Sequence, residues 1–200
     1  TGENPIVIMV DKTHHRHFSV TAGSKQTSDW LVKLMCDELE SWGYMGRAIT
    51  IRNDGEPAIR ALRRAIAGYR QQQDTLPEDV PPGEHESMGF TETFVRHTRN
   101  QVKTLRDSLE HALGRKLPSD AVIHQWMVRW ASMALSRYQI GSDGKTPYER
   151  TTGRTCNTPI CAFWEQIMYK QLHPEGRERR DKAAVDWHEG TFLGLSSRSG

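Results

Sequence analysis

Apolar positions along the chain change period several times. Ile6 to Val10 form an uninterrupted apolar, β-rich run, and beyond a polar turn holding His14, His15 and Arg16, Phe18 and Val20 alternate with His17 and Ser19. This predicts a two-stranded hairpin. Helical spacing follows, with Ser28 or Asp29 as the cap, Trp30, Leu31, Leu34, Met35, Leu39 and Trp42 on the buried side, and a stop in the Gly43 region. Ala48 to Ile51 read as another strand, and the run Asn53, Asp54, Gly55, Glu56, Pro57 opens a second helix lined by Ile59, Leu62, Ile66 and Tyr69. Residues 71 to 86 are polar and carry Pro77, Pro81 and Pro82, so they predict a loop with at most one short edge strand around Leu76 to Val80.

A long helix is predicted from Glu92, with Val95, Thr98, Val102, Leu105, Leu109 and Leu113 on one stripe. The next helix, from Asp120 to about Tyr138, carries Val122, Ile123, Trp126, Val128, Trp130, Met133 and Leu135, and its higher apolar content predicts a more enclosed position. From Gly141 the chain reads as loop-rich, with short strand candidates at Gln166 to Tyr169 and Thr191 to Leu195 on either side of the charged run Arg177 to Lys182. Strand, helix, strand, helix is the α/β pattern. The expected organisation is a core over residues 1–140 and a connector with a small β-containing extension over 141–200.

The polar face of the long helix changes the picture. Glu92 heads a stripe continued by Arg96, Arg99, Lys103 and Arg106, at offsets that keep all of them on one side of an α-helix. An acid able to hold a metal, followed by cations able to hold phosphates, points to polynucleotide chemistry. A solvated face stabilised by Glu-to-Arg pairing one turn apart fits the same spacing.

Size and composition set limits. The 200 residues suit one α/β domain with an appendage, and the net charge of +2 does not by itself mark a nucleic-acid binder. Placement of charge does more: residues 74 to 86 hold Asp74, Glu78, Asp79, Glu84 and Glu86 and no Lys or Arg, whereas residues 96 to 106 hold Arg96, Arg99, Lys103 and Arg106 and no acid. Cys36, Cys156 and Cys161 lack zinc spacing, and their odd number argues against a disulfide framework, so reduced thiols and an intracellular setting are expected. No apolar run approaches the length of a membrane span, and no signal peptide is evident. The chain opens on Thr1 without an initiator Met, from which a longer parent polypeptide is expected.

Asp54 lies just beyond an apolar strand, where α/β sheets place ligands and catalytic groups. If it converges with Glu92, the pair forms a hard-oxygen site suited to Mg²⁺ or Mn²⁺. Asp54 could equally cap the following helix. His14, His15 and His17 read as surface residues of the hairpin, the Arg177 to Lys182 run as a solvated loop, and Trp126, Trp130 and Met133 as core.

The stretch Lys145, Thr146, Pro147, Tyr148, Glu149, with Gly153 and then Phe163 and Trp164, resembles the KTPYE-x-x-x-G segment and following FG of copia-type retrotransposon integrases. Gly190, Thr191, Phe192, Leu193, Gly194, Leu195 is similar to the G-x-FLGY segment closing the same region, and Asn53, Asp54, Gly55, Glu56 to the family's S-D-N-G or S-D-G-E motif. Met88, Gly89, Phe90, Thr91, Glu92 stands where the family has N-G-x-x-E, with Met88 and Thr93 departing from the usual Asn and Arg. The resemblance runs from about Ile6 to the C-terminus. It implies a ribonuclease-H-like mixed sheet flanked by helices, and metal-dependent cutting and joining of DNA through 3′-end processing and strand transfer. Asp54 and Glu92 are then catalytic metal ligands for Mg²⁺ or Mn²⁺ in a two-ion site, and Arg96, Arg99 and Lys103 contact DNA. The implied partners are element ends, target DNA and further copies of the chain, with no membrane and no small-molecule substrate, and the implied location of the parent activity is the nucleus. The family's first catalytic Asp sits on a central strand preceding the one that Ile6 to Val10 resembles. The resemblance therefore implies an N-terminally truncated core, with Asp11 a substitute ligand only if the strands are assigned otherwise. The chain as given is expected not to perform strand transfer, and a catalytically inactive DNA-binding or assembly remnant is the alternative.

Overall fold

The computed structural model describes residues 4–24, 26–53, 55–71, 75–79, 85–170 and 187–195, with side chains from Gly89 onward in the long helix. Strands β1 (Ile6–Val10) and β2 (His17–Thr21) form the antiparallel hairpin, in a register that pairs Ile6 with Thr21 and Val10 with His17. Helix α1 (Asp29–Ser41) starts at Ser28, whose Oγ accepts from the Leu31 amide at 3.3 Å. Phe18, Val20, Leu31, Val32, Met35, Cys36, Leu39, Trp42, Leu62 and Ile66 form the principal core, bringing together β2, α1 and the helix α2 (Pro57–Tyr69). Trp30 is 58% exposed, against expectation, because the packed face of α1 runs through Leu31, Val32 and Met35 and leaves Trp30 beside it in the first turn.

Strand β3 (Ile49–Asn53) leads through α2 to β4 (Thr75–Asp79), which runs parallel to it. A helix between two parallel strands is the α/β unit that the spacing predicted. Pro77 sits in β4, as an edge strand permits. The β3–β4 pair is held from α2 by Arg63, which donates to Asn53 Oδ1 at 2.6 Å, the Glu78 carbonyl at 2.6 Å and Asp79 Oδ1 at 2.7 Å. The hairpin and the parallel pair are separate hydrogen-bonded units, and among the described residues no strand joins β1 to β3.

Two long helices follow, α3 (His85–Leu113) and α4 (Ile123–Tyr138), packed on each other. Helix α4 lies along the free side of β2, and its serines close that edge. Ser132 Oγ accepts from the Ser19 amide at 2.9 Å; Ser136 Oγ accepts from the His17 amide at 3.0 Å and donates to the His17 carbonyl at 2.9 Å. Hydroxyls one turn apart thus satisfy backbone groups that an edge strand would otherwise expose. This is why His17 and Ser19, expected to alternate outward, are buried along with Phe18 and Val20. Trp126 is 47% exposed rather than core, since Met127, Val128, Ala131, Ser132 and Ser136 make the packed stripe and Trp126 lies beside it.

The segment expected to be loop-rich contains a short helix, α5 (Pro147–Thr152), opened by a capping box between Thr146 and Glu149 and closed by Gly153 at φ +70°. Strands β5 (Gln166–Lys170) and β6 (Trp187–Thr191) pair antiparallel, so the last strand ends where the sequence placed its start. Phe192 anchors this hairpin edge-on against Trp130 of α4, with ring centroids 5.0 Å apart. The charged run Arg177 to Lys182 lies outside the described residues. No described helix is long and apolar enough to cross a membrane.

Candidate nucleic-acid interface

Helix α3 is fixed from its apolar side. Phe94, Thr98 and Leu109 are buried, with Val95, Val102, Leu105 and Leu113 half-buried around them. The opposite face carries Glu92, Arg96, Arg99 and Lys103, all exposed. Among the described residues none of the four has a hydrogen-bond or ion-pair partner, so the Glu92-to-Arg96 pairing that the spacing allowed is not made. Arg106 leaves the stripe. Its Nε donates to Glu110 Oε1 at 2.7 Å and its Nη2 to the Leu117 carbonyl at 3.1 Å, while Lys116 Nζ meets Glu110 Oε2 at 2.7 Å. These donors, together with the Leu117 amide, hold the Glu110 carboxyl down at about 2.

The first half of α3 rests on the β1–β2 hairpin through aromatic contacts. The Phe94 ring lies 5.0 Å from that of His17 and 4.9 Å from that of Phe90, and His15 meets Phe90 at 5.3 Å. Of the three histidines expected at the surface, His15 and His17 therefore form part of the seat; His17 is buried, and His14 and His15 are half-buried. Burial pushes His17 down to about 4, leaving it neutral at ordinary pH. The sequence reading missed Phe90 and Phe94. Their i, i+4 spacing was the available signal.

Asp54 lies outside the described residues. Its neighbours are placed: Asn53 ends β3 with its Oδ1 on Arg63, and Gly55 turns at φ +83°, where a Cβ would come within 3.1 Å of Arg60 Nη2. Asp11 has a local role. Its Oδ1 accepts from the Thr13 amide at 2.8 Å, and its Oδ2 meets His14 Nδ1 at 2.8 Å and accepts from the Tyr44 hydroxyl at 2.9 Å. Burial and the bond to Asp11 push the Tyr44 hydroxyl up to about 12, which keeps it a donor. A buried carboxylate filled by three donors pins the hairpin turn and has little left to offer a metal. Among the described residues, no group of three or more His, Cys, Asp or Glu is arranged to hold one. The exposed, unpartnered carboxylate of Glu92 has the hard oxygen chemistry that Mg²⁺ or Mn²⁺ takes.

No protein-family profile matches the chain, and no curated protein matches it in sequence. Solved structures do. The catalytic core domain of BIV integrase is 15% identical at a TM-score of 0.48, over 74% of this chain and 85% of that one. A chain of the simian T-cell lymphotropic virus intasome, in complex with the PP2A regulatory subunit B56 gamma, is 14% identical at a TM-score of 0.50, over 93% of this chain. The chain shares the fold of that intasome chain. It spans 60% of that chain's length. The architecture is accordingly mixed α/β, small sheets flanked by helices.

Within this fold the exposed face of α3 offers a carboxylate followed, over the next three turns, by three cations that no acid among the described residues neutralises. Unpaired cations at this spacing can track successive phosphates of a nucleic-acid backbone, giving affinity without sequence preference.

Proposed function

We propose that the chain is the core of a retroelement integrase, acting on DNA by metal-dependent polynucleotidyl transfer. The observation that carries this reading is the exposed, unpaired series Glu92, Arg96, Arg99, Lys103 on a fold shared with an intasome chain. In this reading Arg96, Arg99 and Lys103 hold DNA phosphates, while Asp54, next in sequence after β3, and Glu92 would hold the divalent ion. The chemistry supplied there, with an ion bound, would be activation of a water or a 3′-hydroxyl and stabilisation of the leaving oxygen. The chain's own contribution is to fix the phosphates relative to Glu92 through a helix seated by Phe90 and Phe94. Copia-type ancestry, a two-ion site and self-association belong to the same proposal.

A second reading is favoured by one specific observation. The Asp11 carboxylate is already engaged by Thr13, His14 and Tyr44, which supports a reading in which it adds no further ligand beside Asp54 and Glu92. In that reading the chain binds DNA or assembles with other copies without catalysing transfer.

Mn²⁺ titration followed by electron paramagnetic resonance separates the two. The integrase reading expects saturable Mn²⁺ binding that Asp54→Asn and Glu92→Gln each weaken by about tenfold, since each removes a charged oxygen ligand. Binding unchanged in both variants would exclude the metal site and leave the second reading.

A further inference from the structure

A second cationic feature lies away from the α3 face, where the start of β2, the end of α1, α4 and α5 enclose a cavity of about 110 Å³. Its lining includes Arg16, Arg129 and Arg137, and none of Glu92, Arg96, Arg99 or Lys103. Arg16 is 7% exposed and Arg137 6%. The two guanidiniums both face the ring of Tyr148, each 5.6 Å from its centroid, and Arg16 also stands 5.8 Å from the Trp42 ring. Arg129 lies over Phe18 at 5.0 Å.

Aromatic faces replace part of the hydration that a buried guanidinium loses, but they leave its planar array of N–H donors without acceptors. Among the described residues none of these three arginines donates a side-chain hydrogen bond or forms an ion pair, and Arg16 Nε is fully buried with no partner. Among the described residues the lining holds a single acid, Glu38, whose Oε1 accepts from Trp42 Nε1 at 3.0 Å. His17, also in the lining, is neutral. Three guanidiniums against one carboxylate leave an excess of two positive charges around the space. Buried like charges unmatched by acceptors are costly, and an anion in their midst removes that cost. A water needs roughly 10–15 Å³ of such space, so the cavity has room for a tetrahedral oxyanion.

We infer that this cavity binds a small tetrahedral oxyanion of the phosphate class, held by the Arg16 and Arg137 guanidiniums with Arg129 supplying a third charge. Guanidinium forks match the geometry of phosphate oxygens, and charge-assisted bonds of this kind are the strong ones. Two sources share the chemistry, free inorganic phosphate and the phosphate of a small phosphorylated compound. The depth of Arg16 and Arg137 favours either over a duplex backbone.

Calorimetric titration of the whole chain with inorganic phosphate, against chloride at equal ionic strength, tests this. Saturable one-to-one binding is expected, weakened about tenfold by Arg137→Gln and about threefold by Arg129→Gln, in keeping with loss of charge-assisted bonds. Phosphate should also raise the thermal midpoint of the unmodified chain more than that of either variant. A nucleoside monophosphate binding more tightly than phosphate assigns the source to a phosphorylated small molecule, and weaker binding assigns it to the free ion. Absence of saturable binding by both, affinity unchanged in the variants, or displacement of phosphate by duplex DNA would overturn the inference. Arg129 is only half-buried, so its variant keeps the test decisive if Arg137→Gln does not fold.

Discussion

The two ends of α3 use charge in opposite ways. Near its start Glu92, Arg96, Arg99 and Lys103 stand in solvent without partners among the described residues, whereas near its end Arg106 and Lys116 converge on the Glu110 carboxylate, which also takes the Leu117 amide. The converging charges have a structural task, which is to fix the turn that leaves α3. The free ones have none, because the first half of the helix is held from its other side, by Phe90 and Phe94 against the hairpin histidines. The exposed cations are therefore separable from folding, and a variant can remove them without removing the helix.

The largest effect that would break this contrast is loss of the aromatic seat. Phe94 is 8% exposed and contacts Phe90, His15, His17 and His97. Phe94→Ala is expected to destabilise the chain by about 3–5 kcal/mol in urea unfolding, and a cost near zero would mean that the helix is held elsewhere.

Acid should act on the same seat. His17 has an ordinary value of 6.5 and is pushed down to about 4 in the folded chain, so the unfolded chain binds the proton first as pH falls. The stabilisation is complete above pH 6.5 and is lost on going down toward 4, by on the order of 3 kcal/mol. His17→Leu should flatten urea midpoints across that window. A second loss, from Glu110, belongs below pH 4.5 and continues toward 2. If the unmodified chain is equally stable at pH 7 and pH 4.5, His17 is not buried as described.

A smaller effect sharpens the contrast between the two ends. Replacing Arg96 and Arg99 together by Gln should change stability by no more than about 0.5 kcal/mol. Arg106→Gln should lower the thermal midpoint measurably, because it removes bonds to Glu110 and to the Leu117 carbonyl. Equal effects of the two changes would erase the distinction.

How much of this was legible beforehand follows from which interactions are local. The polar and apolar stripes of α3, the edge character of β4 and the βαβ order came from spacing within single elements, and the structure has them. Period alone places Arg106 on the stripe, yet its partner Glu110 is one turn on and its other partner, the Leu117 carbonyl, lies past the end of the helix. The Thr146 to Glu149 spacing carries a capping-box signal for α5 within residues that also match the family motif. What no local pattern could supply were partners distant in the chain: Ser132 and Ser136 closing the β2 edge, Asp11 meeting Tyr44, and Arg16 joining Arg137 across Tyr148. The outward placement of Trp30 and Trp126 belongs with these, since each is decided by where the neighbouring element lies and not by the apolar count of its own helix.

The central claim is that the exposed cations following Glu92 hold a nucleic-acid backbone. Its most direct test is the salt dependence of duplex DNA binding by the unmodified chain and by a variant with Arg96, Arg99 and Lys103 all changed to Ala. Each phosphate contact contributes about 0.9 to the slope of log affinity against log salt, so the variant should lose about 2.7 from its magnitude along with most of its affinity. The same slope in both proteins would contradict the account and place any DNA on another face.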